Sequence, residues 1–265
     1  MQVFRKGRYL GKNQTQSEYA GVILSETRFD TGFSSDWHYH ENPYITFILE
    51  GGSIELRKQS RMLCQPGVVI PYDFDEPHRN IDYQNNSRTF SIEFERNWLA
   101  SKEISSLAAT SIEIECNAEI KFLMIRLMME HRLSDTLSSL SVETQAVQLL
   151  ESLGNSKSLT GKPGWVSKIR DLINDHWNEV PTLQYLADEL GIHPVTISKN
   201  FPKYFNCSLG DYLRRIKINR AIKFLKETNL TLWEIALSCG FSDTSHLNRV
   251  FKIYTGVLPS HFRNR

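Results

Sequence analysis

The stretch PTLQYLADELGIHPVTISKNF, residues 181–201, decides the fold of the C-terminal half of the chain. Thr182 is a suitable N-cap for a first helix, Gly191 ends that helix, and Pro194 suits the first turn of a second helix. Apolar residues recur along the stretch at the spacing of one helical face: Leu183, Leu186, Ala187, Leu190, Ile197 and Phe201. The stretch therefore predicts two helices joined by a short turn that contains a glycine.

The same pattern occurs again about fifty residues later, in TLWEIALSCGFSDTSHLNRVFKIYTG (residues 231–256). Thr231 is the expected N-cap of a helix, Gly240 marks the turn, and Ser242 or Asp243 is the expected N-cap of the next helix. One helix-turn-helix unit is common in helical domains, but two in succession can present two helices to the major groove of DNA. The C-terminal half is therefore predicted to be an all-α DNA-binding domain.

Charge is distributed unevenly along the chain. Residues 1–164 contain 17 Lys and Arg against 21 Asp and Glu, a net charge of −4, whereas residues 165–265 contain 14 against 9, a net charge of +5. A basic half beside an acidic half is expected when only one domain meets a polyanion. A long helix is predicted over 209–227, and we expect its basic face to be mainly solvated: Arg214, Arg215, Lys217, Arg220, Lys223 and Lys226.

The C-terminal domain resembles the DNA-binding domain of the AraC/XylS regulators. In the first unit and the middle helix the resemblance rests on Leu186-Ala187, Ile197-x-x-x-Phe201, Tyr212-Leu213 and Ala221-x-x-x-Leu225. In the second unit it rests on Ile235-Ala236-x-x-x-Gly240-Phe241, Arg249-Val250-Phe251-Lys252, Gly256-x-x-Pro259 and Phe262-Arg263. The resemblance implies a double helix-turn-helix domain in a sequence-specific DNA-binding transcription regulator.

The sequence departs from the family pattern in the first unit and in the middle helix. Pro202 replaces a usual Lys or Arg late in the first recognition helix, where an interior proline can kink a helix at a cost of ~3 kcal/mol. Asn200 replaces an apolar residue, Asn206 a glycine, and Lys217 a common arginine. We therefore expect the first unit to contribute less specificity than the second.

The resemblance places the residues that contact DNA on the outer faces of the two recognition helices. In the first helix these are Val195, Thr196, Ser198 and Lys199, and in the second Thr244, Ser245, Asn248 and Arg249. Arg and Asn read guanine and adenine edges through paired hydrogen bonds, and Ser and Thr read bases less specifically. The alternative is that Lys199 and Arg249 contact only phosphates or solvent.

The N-terminal hundred residues predict short strands separated by Gly and Pro turns, as in an antiparallel barrel or sandwich. The strands are expected at Tyr44–Leu49, Ser53–Arg57, Val68–Ile70 and Thr89–Phe94, with a turn at Gly51-Gly52. The spacing Gly32-x5-His38-x-His40-x3-Tyr44-x6-Gly51 resembles the first cupin motif, and Pro66-Gly67 with Pro71 and His78 resembles the second. AraC-type regulators commonly carry such a barrel for effector binding, so the resemblances in the two halves support one another.

The barrel resemblance implies a binding site for a small effector at His38, His40, Tyr44 and His78. Histidines at i and i+2 of a strand point to the same side, so His38, His40 and His78 are also candidate ligands of a divalent metal. The usual cupin glutamate is replaced by Tyr44, which favours the alternative that the histidines hydrogen-bond a polar ligand or the barrel wall. Metal-dependent enzyme, metal sensor and effector-independent regulator stay open as alternatives, although no catalytic residues are predicted.

Helical periodicity returns over 117–153, where a stripe of apolar residues is wider than one barrel face usually hides. The stripe consists of Ile120, Leu123, Met124, Leu127 and Met128, widened by Phe122, Ile125 and Met129. In AraC-type proteins helices at this position form a dimer contact, which implies a homodimer through this stripe. The alternative is packing on the barrel within one chain.

The chain is thus expected to be an α+β multidomain protein. The domains predicted are a cupin-like antiparallel β-barrel at 1–97, a helical dimerisation or packing element at 98–153, a Gly/Ser/Pro-rich linker at 154–164 and the DNA-binding domain at 165–265. The N-terminus has no signal-peptide pattern and the four cysteines have no CxxC spacing, so we expect a cytoplasmic protein without a disulfide framework. The expected partners are double-stranded DNA, a small effector, a second copy of the chain and RNA polymerase, and no membrane.

Overall fold

The computed structural model describes residues 1–107, 118–154, 163–175, 181–205 and 207–263. The chain forms two compact units, unit 1 at Met1–Lys157 and unit 2 at Ser158–Arg265. The division between the units falls inside the linker predicted over 154–164. Most of that linker lies outside the described residues, and so does Asn206, which was noted as a departure from the family pattern. No described helix is long and apolar enough to cross a membrane.

Unit 1 is built on one curled sheet that forms a half-barrel. Its strands are β1 (Gln2–Phe4), β2 (Lys12–Tyr19), β3 (Val22–Arg28), β4 (His38–His40), β5 (Tyr44–Arg57), β6 (Ser60–Cys64), β7 (Val69–Tyr72) and β8 (His78–Phe94). Neighbours follow the order β1-β4-β8-β3-β2, and β5 also pairs with β6, β7 and β8. The described pairings are antiparallel except that of β1 with β4, which is parallel, so the expectation of a purely antiparallel barrel is corrected.

The predicted turn at Gly51-Gly52 is wrong, because β5 runs through both glycines. Both adopt positive φ, 70° and 148°, and the register between β5 and β8 shifts on either side of them. A Cβ on Gly51 would clash with Gln84, and one on Gly52 would clash with the Cys64 carbonyl. The glycines therefore form an irregular, bulge-like segment that lets the long strand bend across the sheet.

The helices of unit 1 are α1 (Arg96–Ser101), α2 (Ala118–Leu133) and α3 (Ser138–Gly154). The stripe from Ile120 to Met129, predicted to form a dimer contact, is buried inside the unit, where α2 packs against α3 and contacts β3. The assignment of this stripe to a dimer contact is therefore wrong, and packing within the chain accounts for its width. The end of α2 is fixed to the sheet by His131, whose ring nitrogens lie 2.9 and 2.6 Å from the Thr15 and Ser17 hydroxyls.

Unit 2 is helical throughout its described elements. They are α4 (Gly164–Asp175), α5 (Leu183–Leu190), α6 (Pro194–Phe205), α7 (Leu209–Glu227), α8 (Leu232–Ser238), α9 (Thr244–Thr255) and α10 (Pro259–Arg263). The predicted caps are confirmed: Thr182, Thr231 and Asp243 accept backbone hydrogen bonds, and Gly191 ends α5 with left-handed backbone. Local residue choice therefore fixes both helix-turn-helix units, α5–α6 and α8–α9.

Candidate nucleic-acid interface and ligand cavity

The first recognition helix, α6, turns a polar face outward from unit 2. Ile197 and Phe201 are fully buried in a core shared with α4 and α5. The four residues expected to contact DNA, on the opposite side of the helix, are all exposed: Val195, Thr196, Ser198 and Lys199. The helix continues through Pro202, so the proline does not end it, and Lys203 extends the exposed basic surface by one turn.

The second recognition helix, α9, has a comparable division of faces. Leu247, Val250 and Phe251 are buried, whereas Ser245 and Arg249 are exposed and Thr244 is half-buried. Asn248 is also half-buried, and its Oδ1 is enclosed without a hydrogen-bond partner. The predicted residues thus share one surface, but Asn248 is less free to meet DNA than its position suggested. Sequence reasoning did not select Lys252, which is exposed one helical turn after Asn248 and could have been found from that spacing.

The middle helix α7 is connected to the second unit by polar contacts. Lys217 Nζ donates a 2.5 Å hydrogen bond to the carbonyl oxygen of Gly240, in the turn between α8 and α9. The same ammonium lies 5.6 Å from the centre of the Phe241 ring, and burial lowers the pKa of Lys217. Tyr254 of α9 donates a hydrogen bond to Asp211 at the start of α7. The basic face of α7 is therefore not simply solvated, since one of its lysines holds the turn of the second unit.

Unit 1 contains a cavity between the two sides of its curled sheet. It encloses about 550 Å³ of free space, including the part open to solvent. Its lining combines hydroxyl and aromatic groups, among them Thr27, Thr46, Thr89, Ser91, Tyr44, Tyr83, Phe29, His38 and His40. Among the described residues that line it there is no Lys, Arg, Asp or Glu. The cavity therefore suits an uncharged molecule with polar groups.

Three histidines cluster beside this cavity, and two of them, His38 and His40, line it. His38 and His40 lie on β4, His78 begins β8 opposite His38, and one ring nitrogen from each residue lies within 4.8 Å of those of the other two. All three side chains are buried. The structure thus brings His78 next to two histidines that precede it by 38 and 40 residues in the sequence.

Hydrogen bonds orient two of the three rings. Nδ1 of His38 lies 2.9 Å from the Asp36 carbonyl oxygen, and Nδ1 of His78 lies 2.9 Å from the Glu76 carbonyl oxygen. Because a carbonyl only accepts, each Nδ1 carries the proton and each Nε2 keeps its lone pair. Burial lowers the pKa of all three imidazoles, that of His40 to about 3, so the rings are neutral near pH 7.

Tyr44 completes the cluster from β5. Its hydroxyl lies 2.9 Å from Nε2 of His78, and its ring lies 4.4 Å from that of His40 between centroids. Tyr44 also stacks on Tyr72, which donates a hydrogen bond to the buried Glu55 carboxylate. Sequence reasoning missed Glu55, because nothing in its spacing indicates that the pairing of β5 with β7 brings the Tyr72 hydroxyl to it.

A second buried carboxylate, that of Glu93, holds the segment that follows β1. Glu93 accepts hydrogen bonds from the Gly7 amide, the Tyr9 hydroxyl and the Asn42 side-chain amide. Burial raises the pKa of Glu93 in spite of these donors. The contacts anchor the segment after β1 against the sheet, where Tyr9 and Leu10 line the cavity.

The C-terminal residues match a known family. Residues 186–265 match the family model described as a helix-turn-helix domain. The domain carries two helix-turn-helix units with outward recognition helices, which defines a DNA-binding domain of the kind found in transcription regulators. This match agrees with the resemblance of the C-terminal unit to AraC-type DNA-binding domains.

Curated relatives share one or both units. AdaA of Bacillus subtilis (strain 168), named a bifunctional transcriptional activator/DNA repair enzyme, is 30% identical over 99 residues, which are 37% of this chain and 47% of that protein. The Msm operon regulatory protein of Streptococcus mutans is 25% identical over 252 residues, 88% of each chain. The chain spans less than half the length of some curated relatives that it matches.

Among solved structures, the C-terminal domain of the response regulator yesN from Fusobacterium nucleatum is 27% identical to this chain. The match covers 38% of this chain and 99% of that domain, with a TM-score of 0.36.

Proposed function

We propose that the chain is a sequence-specific DNA-binding transcription regulator whose unit 2 reads DNA and whose unit 1 binds a small effector. The observation that carries the proposal is the pair of outward-facing recognition helices, α6 and α9, in a unit matched by a helix-turn-helix family. The whole-length relative named for an operon supports regulation rather than an enzymatic role.

The two recognition helices belong to one compact unit, so they act on one DNA site together. Helices that enter successive segments of the major groove on one face of the duplex lie about 34 Å or ~10 bp apart. Because α6 and α9 have different outer residues, we expect an asymmetric site with two blocks of preferred bases. Arg249 and Lys199 are the strongest candidates for base or phosphate contact, since both are charged and exposed.

In vitro selection of bound DNA by the full chain tests this proposal. The wild type is expected to enrich two blocks of bases one helical turn apart, and Arg249→Ala to relax preference within one block at a cost of ~1–3 kcal/mol. Lys223→Ala is the matched control, because Lys223 is an exposed basic residue that belongs to α7 and to neither recognition helix. Selection without any sequence preference would overturn the proposal.

The effector is proposed to be a small uncharged molecule bound in the cavity of unit 1. The described residues that line the cavity offer many hydroxyl groups and no Lys, Arg, Asp or Glu side chain, which supports this class. A ligand of the native state raises the free energy of unfolding by about 2.7 kcal/mol at a hundredfold excess over its Kd. Thermal unfolding with panels of uncharged and charged metabolites tests the class, and stabilisation by charged compounds alone would contradict it.

Protein partners are proposed from exposed apolar side chains. Leu137 and Leu140 are 69% and 68% exposed where α2 and α3 meet, and they offer a surface for a second copy of the chain. Trp233 and Leu237, one turn apart on α8, are 60% and 47% exposed and suit a protein partner such as RNA polymerase. Sedimentation of the wild type and of Leu140→Glu tests the homodimer: a monomeric wild type at micromolar concentration would contradict it.

A further inference from the structure

We propose that the first recognition helix, α6, recognises thymine by its C5-methyl group, and that Val195 is the side chain that contacts this methyl. The inference rests on the proposed function, in which α6 enters the major groove of DNA. It adds the chemical group that the first unit recognises. It also gives the two recognition helices different modes of reading, α6 through apolar contact and α9 through hydrogen bonds.

Val195 is an apolar residue on an otherwise polar surface of α6. Its side chain is 63% exposed, and the other three outer residues are Thr196, Ser198 and Lys199. A single exposed apolar residue is common on protein surfaces, so the exposure alone assigns no role. The position of Val195 does, because it is the second residue of α6 and the N-terminal residues of a recognition helix are those that reach base edges.

Hydrogen bonds at the start of α6 hold Val195 in place. The Val195 amide donates a 3.3 Å hydrogen bond to Nδ1 of His193, and the Thr196 amide donates a 2.9 Å hydrogen bond to the His193 carbonyl oxygen. A valine in a helix has one strongly preferred χ1 rotamer, because its Cβ is branched. The methyl groups of Val195 are therefore fixed before DNA binds, and little side-chain freedom is lost when they meet a partner.

The major groove offers one methyl group that such a side chain can recognise, the C5-methyl of thymine. The other groups that distinguish the base edges there are hydrogen-bond donors and acceptors, with which valine cannot pair. Valine placed against such a group removes water from it without replacing the lost hydrogen bond, which is unfavourable. Val195 therefore favours thymine through contact with the methyl and disfavours the polar edges of the other bases.

The other outer residues of α6 offer few paired hydrogen bonds. Thr196 and Ser198 each carry a single hydroxyl, and Lys199 carries a point charge on a flexible stem. Asn200 has the amide that pairs with adenine, but it is half-buried and its Nδ2 donates a 2.8 Å hydrogen bond to the Thr196 carbonyl oxygen. Apolar contact is thus the main source of base discrimination left to this helix.

The second recognition helix, α9, has hydrogen-bonding groups instead. Ile197 of α6 and Leu247 of α9 are both fully buried, and a buried phenylalanine follows each of them four residues later. When the two helices are aligned on these residues, Val195 corresponds to Ser245. The outer face of α9 also carries Arg249, whose guanidinium can pair with two acceptors of guanine. Sensitivity to the thymine methyl is therefore expected in the block of bases that α6 reads.

The test compares thymine with uracil, because the two bases differ only by the C5-methyl group. The full chain first selects its DNA site from random sequence, and the block of bases read by α6 is the one that Arg249→Ala leaves intact. Each thymine of that block is then replaced by uracil, one at a time, and the Kd is measured at a fixed salt concentration. At one position the wild type is expected to bind the uracil DNA about fourfold more weakly, which is the effect of burying one methyl-sized group.

Two variants identify the side chain that contacts the methyl. Val195→Ala removes both methyl groups of the valine and should bind the thymine and uracil sites with nearly equal Kd. Thr196→Ser is the matched control, because it removes the neighbouring methyl group and keeps the hydroxyl, and it should preserve the fourfold difference. Both residues are exposed, so both variants should fold, which the midpoint of thermal unfolding checks.

The possible results separate this inference from the proposed function. Equal binding of thymine and uracil at every position of the α6 block, or a block without a preferred thymine, overturns the reading of the methyl. A fourfold difference that persists in Val195→Ala, or that disappears in Thr196→Ser, overturns the assignment to Val195. A wild type that selects no sequence at all refutes the proposed function and this inference with it, whereas a selected site that is insensitive to the methyl refutes this inference alone.

Discussion

The contact between Lys217 and the second helix-turn-helix unit can be broken by Lys217→Met. Lys217 Nζ donates a hydrogen bond to the carbonyl oxygen of Gly240, which has left-handed backbone (φ 72°) at the turn before α9. The ammonium also lies over the Phe241 ring. Methionine keeps the apolar stem but removes the donor and the charge, so the Gly240 carbonyl loses its partner on α7.

The size of the effect follows from these two contacts. A hydrogen bond from a charged donor contributes about 1.5–3 kcal/mol, and a cation–π contact at a partly exposed site about 0.5–1 kcal/mol. Lys217 is only half-buried, and water can reach the freed carbonyl, so we expect a net loss of about 1–2 kcal/mol. In a domain of about a hundred residues, each kcal/mol lowers the midpoint of thermal unfolding by about 4–8 °C.

Thermal unfolding and DNA selection together test this role. Lys217→Met should lower the midpoint of unit 2 and relax preference in the block of bases read by α9 more than in the block read by α6. Lys223→Met is the control, since Lys223 is 71% exposed and its only described ion pair, with Glu227, spans 3.9 Å. If the midpoint of thermal unfolding is unchanged and the slope of log DNA affinity against log salt concentration falls by about one, this structural role of Lys217 is refuted. That result would be the signature of a phosphate contact.

The remaining predictions concern unit 1. Leu127→Glu should unfold unit 1, because it buries an unpaired charge, whereas Leu140→Glu changes an exposed residue and should leave the unit folded. Circular dichroism measures the helix and strand content of both variants, and a folded Leu127→Glu monomer would contradict the burial argument. Gly52→Ala should lower the free energy of unfolding more than Gly67→Ala does. Both glycines have positive φ, but of the two only Gly52 lacks room for a Cβ. Equal decreases in the free energy of unfolding, measured in urea, would rule out the steric cause. Burial lowers the pKa of His131, so its stabilising contribution is present above pH 6.5 and is lost as pH falls below that value. His131→Gln should therefore show a shallower loss of stability in acid than the wild type, and parallel pH profiles would contradict this.

Features that depend on neighbours in sequence could be predicted well. The ends of the helices could be predicted because a cap acts within one helical turn. This holds for the N-caps Thr182, Thr231 and Asp243 and for Gly191, which ends α5. The cluster of His38, His40 and His78 was also predictable, since strand alternation places the first two on one side. Rules that act between residues close in sequence therefore predicted most helices of unit 2 and part of the lining of the cavity.

Features that depend on distant contacts could not be predicted from these patterns. The Gly51-Gly52 pair looks like a turn until the pairing of β5 with β8 is known, because both turns and bulges need positive φ. The stripe around Leu127 has the width of an interface, yet α3 and the sheet cover it. The role of Lys217 depends on Gly240, twenty-three residues away, and a basic helical face gives no sign of such a partner.

Pro202 shows how contacts beyond one helix decide the outcome of a local rule. Proline inside a helix removes one backbone hydrogen bond, at ~3 kcal/mol, yet α6 continues to Phe205. The Phe205 ring stacks on that of Phe201, with centroids 4.0 Å apart and planes 9° apart, and both contact Tyr212 of α7 at their edges. These contacts hold the last turn from the inner side, while Pro202 itself is exposed. The proline therefore falls after the four outer residues expected to meet DNA, and the helix is unbroken from Val195 to Lys199.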